Sequence, residues 1–384
     1  MFSTSRAYPL LGLCPIGYLM IFLKYKLIIT TCTITQTQLL VASGSNSGIG
    51  KETALDFARR GARVILACRN PAKGEEAAKE IRELTDNDQV VFRLLDNASL
   101  ESVRSFAETI LKEESRLDVL VNNAGVSRCH ANEKTATGYD LQFGINHLGP
   151  FLLTHLLLPL LKETGPSRII NVSSVAHTMV SSLCYLNTKQ AFEETFAYAT
   201  CKLCNILFAS ELGRRLQGTG VTAYSLHPGM ADTRILHPRS SRLHGRFVLF
   251  FFRNILRPFT ISIEAGAQTT IYCALDESVP YYSGRYFADC QLAEETELAR
   301  DEKIASQLWD LSCKLTGVEN AFLVLRFQFR SSSVHYLIVI VKWRIESTVM
   351  VISAVSCVDS DPGRDTCYIK LGGSAFCCTG QASN

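Results

Sequence analysis

Seven short runs rich in β-branched and aromatic residues recur along the chain, and helix-length amphipathic stretches separate most of them. The runs are LLVAS (39–43), RVILAC (63–68), VVFRLL (90–95), DVLVN (118–122), RIINVS (168–173), VTAYSLH (221–227) and GRYFA (284–288). Such alternation is the signature of βαβ units around a parallel sheet, because parallel strands need crossover connections and helices satisfy that need. The expected fold is therefore α/β: one Rossmann-type, doubly wound domain with a mainly parallel, seven-stranded sheet, spanning residues 38–318. Its site belongs at the carboxyl ends of the strands.

The chain flanking this pattern differs from it. Tyr8 to Leu23 is 16 uncharged, largely apolar residues, followed by Lys24, Lys26 and a second apolar stretch. A bilayer-crossing helix needs about 20 such residues, so residues 1–37 read as a hydrophobic anchor or targeting segment. An A-x-A-like cleavage site does not precede the first strand. After Val318 the α/β alternation breaks, and residues 319–384 read as an atypical tail, an alternative C-terminus rather than a further functional domain. With 47% apolar and 20% charged residues and a formal net charge of +3, the chain is neither disordered nor a nucleic-acid binder on electrostatic grounds. The 14 cysteines lack zinc-like spacing and often lie in apolar runs, so they read mostly as reduced, buried thiols. His147, His155 and His177 fall on unlike elements, and no metal site is expected. Cys201 and Cys204 lie within a helical stretch without a redox context. Asn97-Ala-Ser99 and Asn171-Val-Ser173 match a glycosylation pattern but belong to the expected core.

The first run leads into Ser43-Gly44-Ser45-Asn46-Ser47-Gly48-Ile49-Gly50 and then a helical pattern. Glycines at 44, 48 and 50 permit a tight turn and the approach of a pyrophosphate to a helix N-terminus, whose N–H groups attract anions. An acidic residue usually ends the second strand where a free ribose 2′-hydroxyl is bound. Here that strand ends Cys68-Arg69, which favours NADP(H) over NAD(H). Asp96, ending the third strand, is placed to meet an adenine edge. Asn123-Ala124-Gly125 ends the fourth, where small residues let a cofactor lie close to the backbone. Tyr198 and Lys202 are four apart on one helix face, so an ammonium can favour a phenolate and bring the phenol towards working pH. A serine hydroxyl at the end of the fifth strand, Ser173 or Ser174, can hold a carbonyl or alkoxide oxygen while Tyr198 exchanges the proton.

These motifs, SGSNSGIG, NNAG, INHLGPF, NVSS, YATCK and HPG in that order, resemble the short-chain dehydrogenase/reductase family. KETALDFARRGARVILACRN, RIINVSSVAH and SGRYFADC are similar to its retinol-dehydrogenase-like group. The resemblance implies Tyr198 as acid/base, Lys202 lowering its pKa and binding the nicotinamide ribose, Ser174 positioning the substrate oxygen and Asn146 holding a relay water. It makes Ser43, Gly44, Ser47, Gly48, Ile49, Gly50, Arg69, Asp96, Asn123, Ala124, Gly125, Tyr198, Lys202, Pro228 and Gly229 cofactor contacts. The chain departs from the family pattern at Ser43 (usually threonine), at Asn97 (usually leucine) and in lacking a Gly-Lys lead-in. Phe247, Phe250, Phe251 and Ile255 fall in the family's variable substrate loop, behind a basic segment (Arg234, Arg239, Arg242, Arg246). The expected substrate is thus a small hydrophobic alcohol or carbonyl, such as a retinoid or other lipid. The expected location is intracellular and membrane-associated, at the endoplasmic reticulum. A homo-oligomer is compatible with this reading. So is a catalytically weak NADP-binding scaffold or sensor.

Overall fold

The computed structural model describes residues 38–127, 133–181, 197–231 and 260–318, together with the backbone of strands between 325 and 379. The expected anchor and the aromatic substrate loop lie outside the described residues.

Eight strands form one sheet in the order β3-β2-β1-β4-β5-β6-β7-β8. They are β1 (Leu39–Ser43), β2 (Arg63–Cys68), β3 (Val90–Leu94), β4 (Val119–Asn122), β5 (Ser167–Val172), β6 (Val221–His227), β7 (Tyr286–Ala288) and β8 (Gln291–Leu292). All neighbouring pairs are parallel except β7 with β8. The expected sheet of seven strands thus gains an eighth, an exposed two-residue hairpin partner too short to carry an alternating pattern. Helices α1 (Gly48–Arg59), α2 (Pro71–Thr85), α3 (Leu100–Glu113), α4 (Leu141–Thr164), α5 (Ala197–Arg215), α6 (Ile263–Leu275) and α7 (Glu302–Thr316) cover the two faces.

Every residue of β1 is buried, as a central strand covered on both faces requires. Leu40, Ala42, Val64, Leu66, Val121, Ile170 and Leu226 pack with Ala54, Phe57 and Ala58 of α1 into one core cluster. A second cluster joins Phe143 and Leu148 of α4, Leu203, Ile206 and Leu207 of α5, and Leu308 of α7. The α4 helix is long and apolar enough to cross a membrane, yet 83% of its most apolar window is buried inside the domain, as befits a core helix. A polar tie fixes α5 beneath α7: Glu211, almost wholly buried, accepts from Arg214 and Arg215, and the Arg215 guanidinium lies 4.5 Å from the Trp309 ring centre.

The strand order reverses at β1, with β2 on one side and β4 on the other. Doubly wound sheets bind ligands in the crevice at this switch point, outside the carboxyl ends of the strands. Residues Gly317–Asn384 form a separate unit. Its strands β9 (Leu325–Ser331), β10 (Val334–Ile345), β11 (Thr348–Val358), β12 (Thr366–Leu371) and β13 (Ser374–Thr379) make an antiparallel sheet in sequential order.

Candidate active site

Ser43 ends β1, and its hydroxyl knits the switch point together. It donates to Val121 O (3.3 Å) and accepts from the N–H groups of Asn123 and Ala124 (3.1 Å each). A threonine would bring the same hydroxyl, so the departure at Ser43 keeps the link. Asn123 Nδ2 donates back to Ser43 O at 2.9 Å and to Gly44 O at 3.3 Å. Beside it, Asn122 Nδ2 bonds Thr154 Oγ1 (2.9 Å) and Asn171 Oδ1 (2.8 Å), bracing β4 against β5 and α4.

The glycine loop rests on these contacts. Gly44 has φ +65°, and a Cβ there would stand 2.8 Å from Ala124 Cα. At Gly50 a Cβ would run into Asn123 Nδ2 and meet Gly44 O at 2.8 Å, so the first turn of α1 sits directly on the loop. Ser47 is the N-cap of α1, its side chain makes no capping hydrogen bond, and no acidic residue lies in the first turn. An anion is therefore met by a bare helix N-terminus. Ile49 approaches α6: a Cβ at Gly266 would be 3.3 Å from Ile49 Cγ1 and 3.4 Å from Pro228 O. The Pro228-Gly229 turn (φ +82° at Gly229) thus meets the glycine loop through α6. Sequence reasoning missed α6's part in the site, because nothing local in IEAGAQ signals it.

Arg69 follows β2 and is exposed, open to a charged group at the carboxyl edge. Asp96 is held by its own turn: its Oδ1 accepts from Ala98 N (3.0 Å), and its N–H donates to Ser102 Oγ (3.0 Å). Asn97 is buried with both side-chain polar atoms unpartnered. Its backbone lies against Gly149, where a Cβ would meet Asn97 O at 2.6 Å. Neither Asp96 nor Arg69 joins the hydrogen-bonded cluster formed by the other residues.

Gly125 lies between two predicted site residues, since a Cβ there would be 3.4 Å from Asn146 Oδ1 and 3.5 Å from Lys202 Nζ. Asn146 sits in a π-helical turn, Gly144–Leu148, within α4. Its amide is committed to Val126, donating to Val126 O and accepting from Val126 N, both at 2.8 Å. Ser174 caps the short helix Val175–Met179, accepting from Ala176 N at 3.2 Å. Ser173 instead points inward and donates to Lys202 O at 2.5 Å, which leaves Ser174 as the serine that meets Tyr198.

Tyr198 and Lys202 lie one turn apart on α5, with Lys202 Nζ 5.5 Å from the Tyr198 ring centre. Lys202 is buried and donates to Val172 O at 2.9 Å. Burial pushes the Tyr198 hydroxyl up to about 12, with its Ser174 hydrogen bond pulling the other way. Burial also lowers the Lys202 ammonium to about 8. The expected lowering of Tyr198 is therefore reversed in the protein by itself, because desolvation of a phenolate outweighs the hydrogen bond that favours it. A tyrosine of this kind is a protonated donor at neutral pH.

Other predicted features are settled by burial. Cys201 and Cys204 are fully buried, and burial raises both thiols, so neither is a reactive thiolate. All six cysteines among the described residues with placed side chains are buried free thiols. Asn97 and Asn171 are buried and closed to glycosylation.

Burial also lowers His147 to about 4, and His155 and His227 shift the same way. The unfolded chain then binds protons near pH 6.5 that the folded chain refuses, so stability falls as pH drops from about 6.5 towards 4. Because His155 and His227 contribute in the same direction, urea unfolding at pH 5 against pH 7 should show a loss larger by about 2 kcal/mol in the wild type than in His147→Asn. Equal pH dependence in the two proteins would contradict this burial.

Comparison with known proteins shows the family of the chain. The family model described as short chain dehydrogenase matches residues 38–243. The chain belongs to the short-chain dehydrogenase family. It is 46% identical over 284 residues to retinol dehydrogenase 12 of Mus musculus, a match covering 73% of this chain and 87% of that protein. It is 47% identical over 286 residues to dehydrogenase/reductase SDR family member 13 of Bos taurus, covering 72% and 73% respectively. A crystal structure of an uncharacterised protein from Mycobacterium paratuberculosis superposes with a TM-score of 0.59 at 32% identity, covering 76% of this chain and 97% of that one. The chain is a retinol-dehydrogenase-like member of the family, an oxidoreductase of alcohols that uses a nicotinamide nucleotide.

Proposed function

We propose that this short-chain dehydrogenase interconverts a hydrophobic alcohol and its aldehyde or ketone with NADP(H), using Tyr198 as the proton donor and acceptor. The observation that carries the reading is the cluster of Ser174, Tyr198 and Lys202 beside Gly125, at the carboxyl edge of the switch point. The residues present fit a dinucleotide: glycines where a Cβ would close the loop, and a bare helix N-terminus above them. When bound, such a cofactor supplies the hydride that no side chain can carry.

In carbonyl reduction, Ser174 holds the substrate oxygen and Tyr198, protonated at neutral pH, delivers its proton to that oxygen as negative charge develops. Lys202 then stands beside the resulting phenolate, whose charge its ammonium offsets. Oxidation reverses these steps. Asn146 pins Val126 and thereby the loop that carries Gly125, and a relay water at its side chain would share Oδ1 with the Val126 N–H. The names of the retinol dehydrogenases among the relatives support a retinoid or similar lipid as substrate. The apolar segment within residues 1–37 supports attachment to an intracellular membrane, and we assign the endoplasmic reticulum.

Membranes carrying the full chain should consume NADPH with retinoid or lipid carbonyls, and more slowly with NADH. Arg69→Glu places a carboxylate where a 2′-phosphate would lie. It should cut the NADPH:NADH preference about 10- to 100-fold, the range of one charge-assisted hydrogen bond. An unchanged ratio would remove Arg69 from cofactor choice. Binding of NADPH without turnover of any carbonyl would favour the scaffold or sensor instead.

A further inference from the structure

The short helix Val175–Met179 starts from Ser174 as its N-cap, and only one of its five residues, His177, is buried. Val175 and Met179 are 49% and 61% exposed, whereas His177 is 1% exposed. The one buried side chain of this helix is thus an imidazole, where burial alone favours an apolar residue.

His177 Nδ1 lies 2.8 Å from the Ser174 carbonyl oxygen, and the His177 backbone N–H donates to that same oxygen at 3.1 Å. A carbonyl only accepts, so the imidazole donates and Nδ1 carries a proton. Nε2 is buried with no hydrogen-bond partner, which leaves a second ring proton nothing to bond to. Burial also lowers the pKa of the ring, in keeping with a neutral imidazole. Both lone pairs of the Ser174 carbonyl are then occupied, one from the backbone and one from the side chain of the same residue. The Ser174 hydroxyl accepts from Ala176 N in this turn, so the carbonyl and the hydroxyl of one serine are held together.

The imidazole is itself held from β7. The Tyr286 ring stands at 68° to it with centres 5.0 Å apart, an edge-to-face contact. Tyr286 is buried, its N–H donates to Glu295 Oε1 at 2.9 Å, and its carbonyl accepts from Ala293 N at 2.9 Å. Its strand is paired with β6 on one side and β8 on the other.

We propose that His177, with its proton on Nδ1, is a positioning residue for Ser174, clamping the Ser174 carbonyl and tying it to Tyr286 of β7. The role in turnover rests on the oxidoreductase reading above; the proton placement does not. His177 bonds the backbone of Ser174 and not its hydroxyl, so it acts through the serine that holds the substrate oxygen. The β7–β8 hairpin, through Tyr286, thereby supports the active site.

Two measurements test this on the full chain. Nitrogen-15 NMR of the wild type, with the His177 ring assigned through its own Cβ and backbone amide, should show the N–H on Nδ1. A lone proton on Nε2 would overturn the clamp. In kinetics, His177→Phe keeps a ring against Tyr286 but removes the donor, and should lower kcat about tenfold with the Kd for NADPH unchanged, the size of one hydrogen bond in a transition-state effect. His177→Asn loses the ring but places an amide N–H near the Nδ1 position, and should recover most of that loss. A merely structural role predicts the opposite order, with the phenylalanine variant the better enzyme. That order, equal impairment of the two, or impairment of neither would overturn the positioning role. If His177→Phe does not fold, His177→Gln carries its amide towards the Nε2 position and should show the same kcat loss beside His177→Asn. A wild-type chain that turns over no carbonyl would sink the oxidoreductase reading and the positioning role with it, and NMR would still decide the clamp.

Discussion

Tyr198→Phe is expected to reduce kcat/KM by about 10²- to 10⁴-fold, the usual range for removal of a general acid/base, while NADPH still binds. The substitution deletes one oxygen. The ring stays in place beneath Lys202, whose Nζ is 5.5 Å from its centre and is anchored independently by Val172 O. Folding should survive, because the deleted hydroxyl's hydrogen bond runs to Ser174 and not to the core. Burial that lifts the phenol to about 12 also shapes the pH profile: carbonyl reduction should run from neutral pH upward with the donor protonated. Paired measurements of NADPH binding by fluorescence and of turnover decide the matter. A variant with near wild-type turnover would place the proton donor elsewhere.

The second large effect concerns the glycine loop. Gly44→Ala should destabilise the domain by about 2–4 kcal/mol and abolish cofactor binding, since it combines backbone strain with a clash. At φ +65° an L-residue is strained, and its Cβ would lie 2.8 Å from Ala124 Cα, a backbone atom held by the Ser43 hydroxyl. Gly138 is the control. It has φ +84°, but a Cβ there meets nothing within 4 Å, so Gly138→Ala isolates the cost of the backbone conformation, about 1–2 kcal/mol. Urea unfolding of the two variants separates strain from crowding. Equal losses would show that the approach of the loop to Ala124 contributes nothing.

Much of this architecture can be read from the order of residues, for reasons that are local. Strand runs such as RVILAC and the turn glycines announce themselves because their periodicity and backbone demands are carried by neighbouring positions. Tyr198 and Lys202 are legible as a pair because four residues on a helix bring two side chains to one face. What escaped is long-range. The hydroxyl of Ser43 reads as a cofactor contact, whereas in the fold it also ties β1 to residues 80 and 81 positions away. Asn146 reads as a water holder, but its amide grips Val126, a residue 20 positions upstream. The direction of the Tyr198 shift was missed for a similar reason: adjacency to a lysine is visible in sequence, and the depth of burial is not. His147 reads as an isolated histidine, but Ser312, 165 positions later, lies against it. The exposed strand β8 is simply too short to leave a pattern.

Isotope transfer reads most directly the proposed hydride delivery to a hydrophobic carbonyl with Tyr198 supplying the proton. Purified full-length protein in detergent, given NADPH deuterated at the nicotinamide C4 and a retinoid aldehyde, should yield alcohol carrying one deuterium at its former carbonyl carbon. The Tyr198→Phe protein, binding the same cofactor, should yield almost none. Deuterium absent from the wild-type product, or transferred equally by the two proteins, would contradict the mechanism proposed for this site.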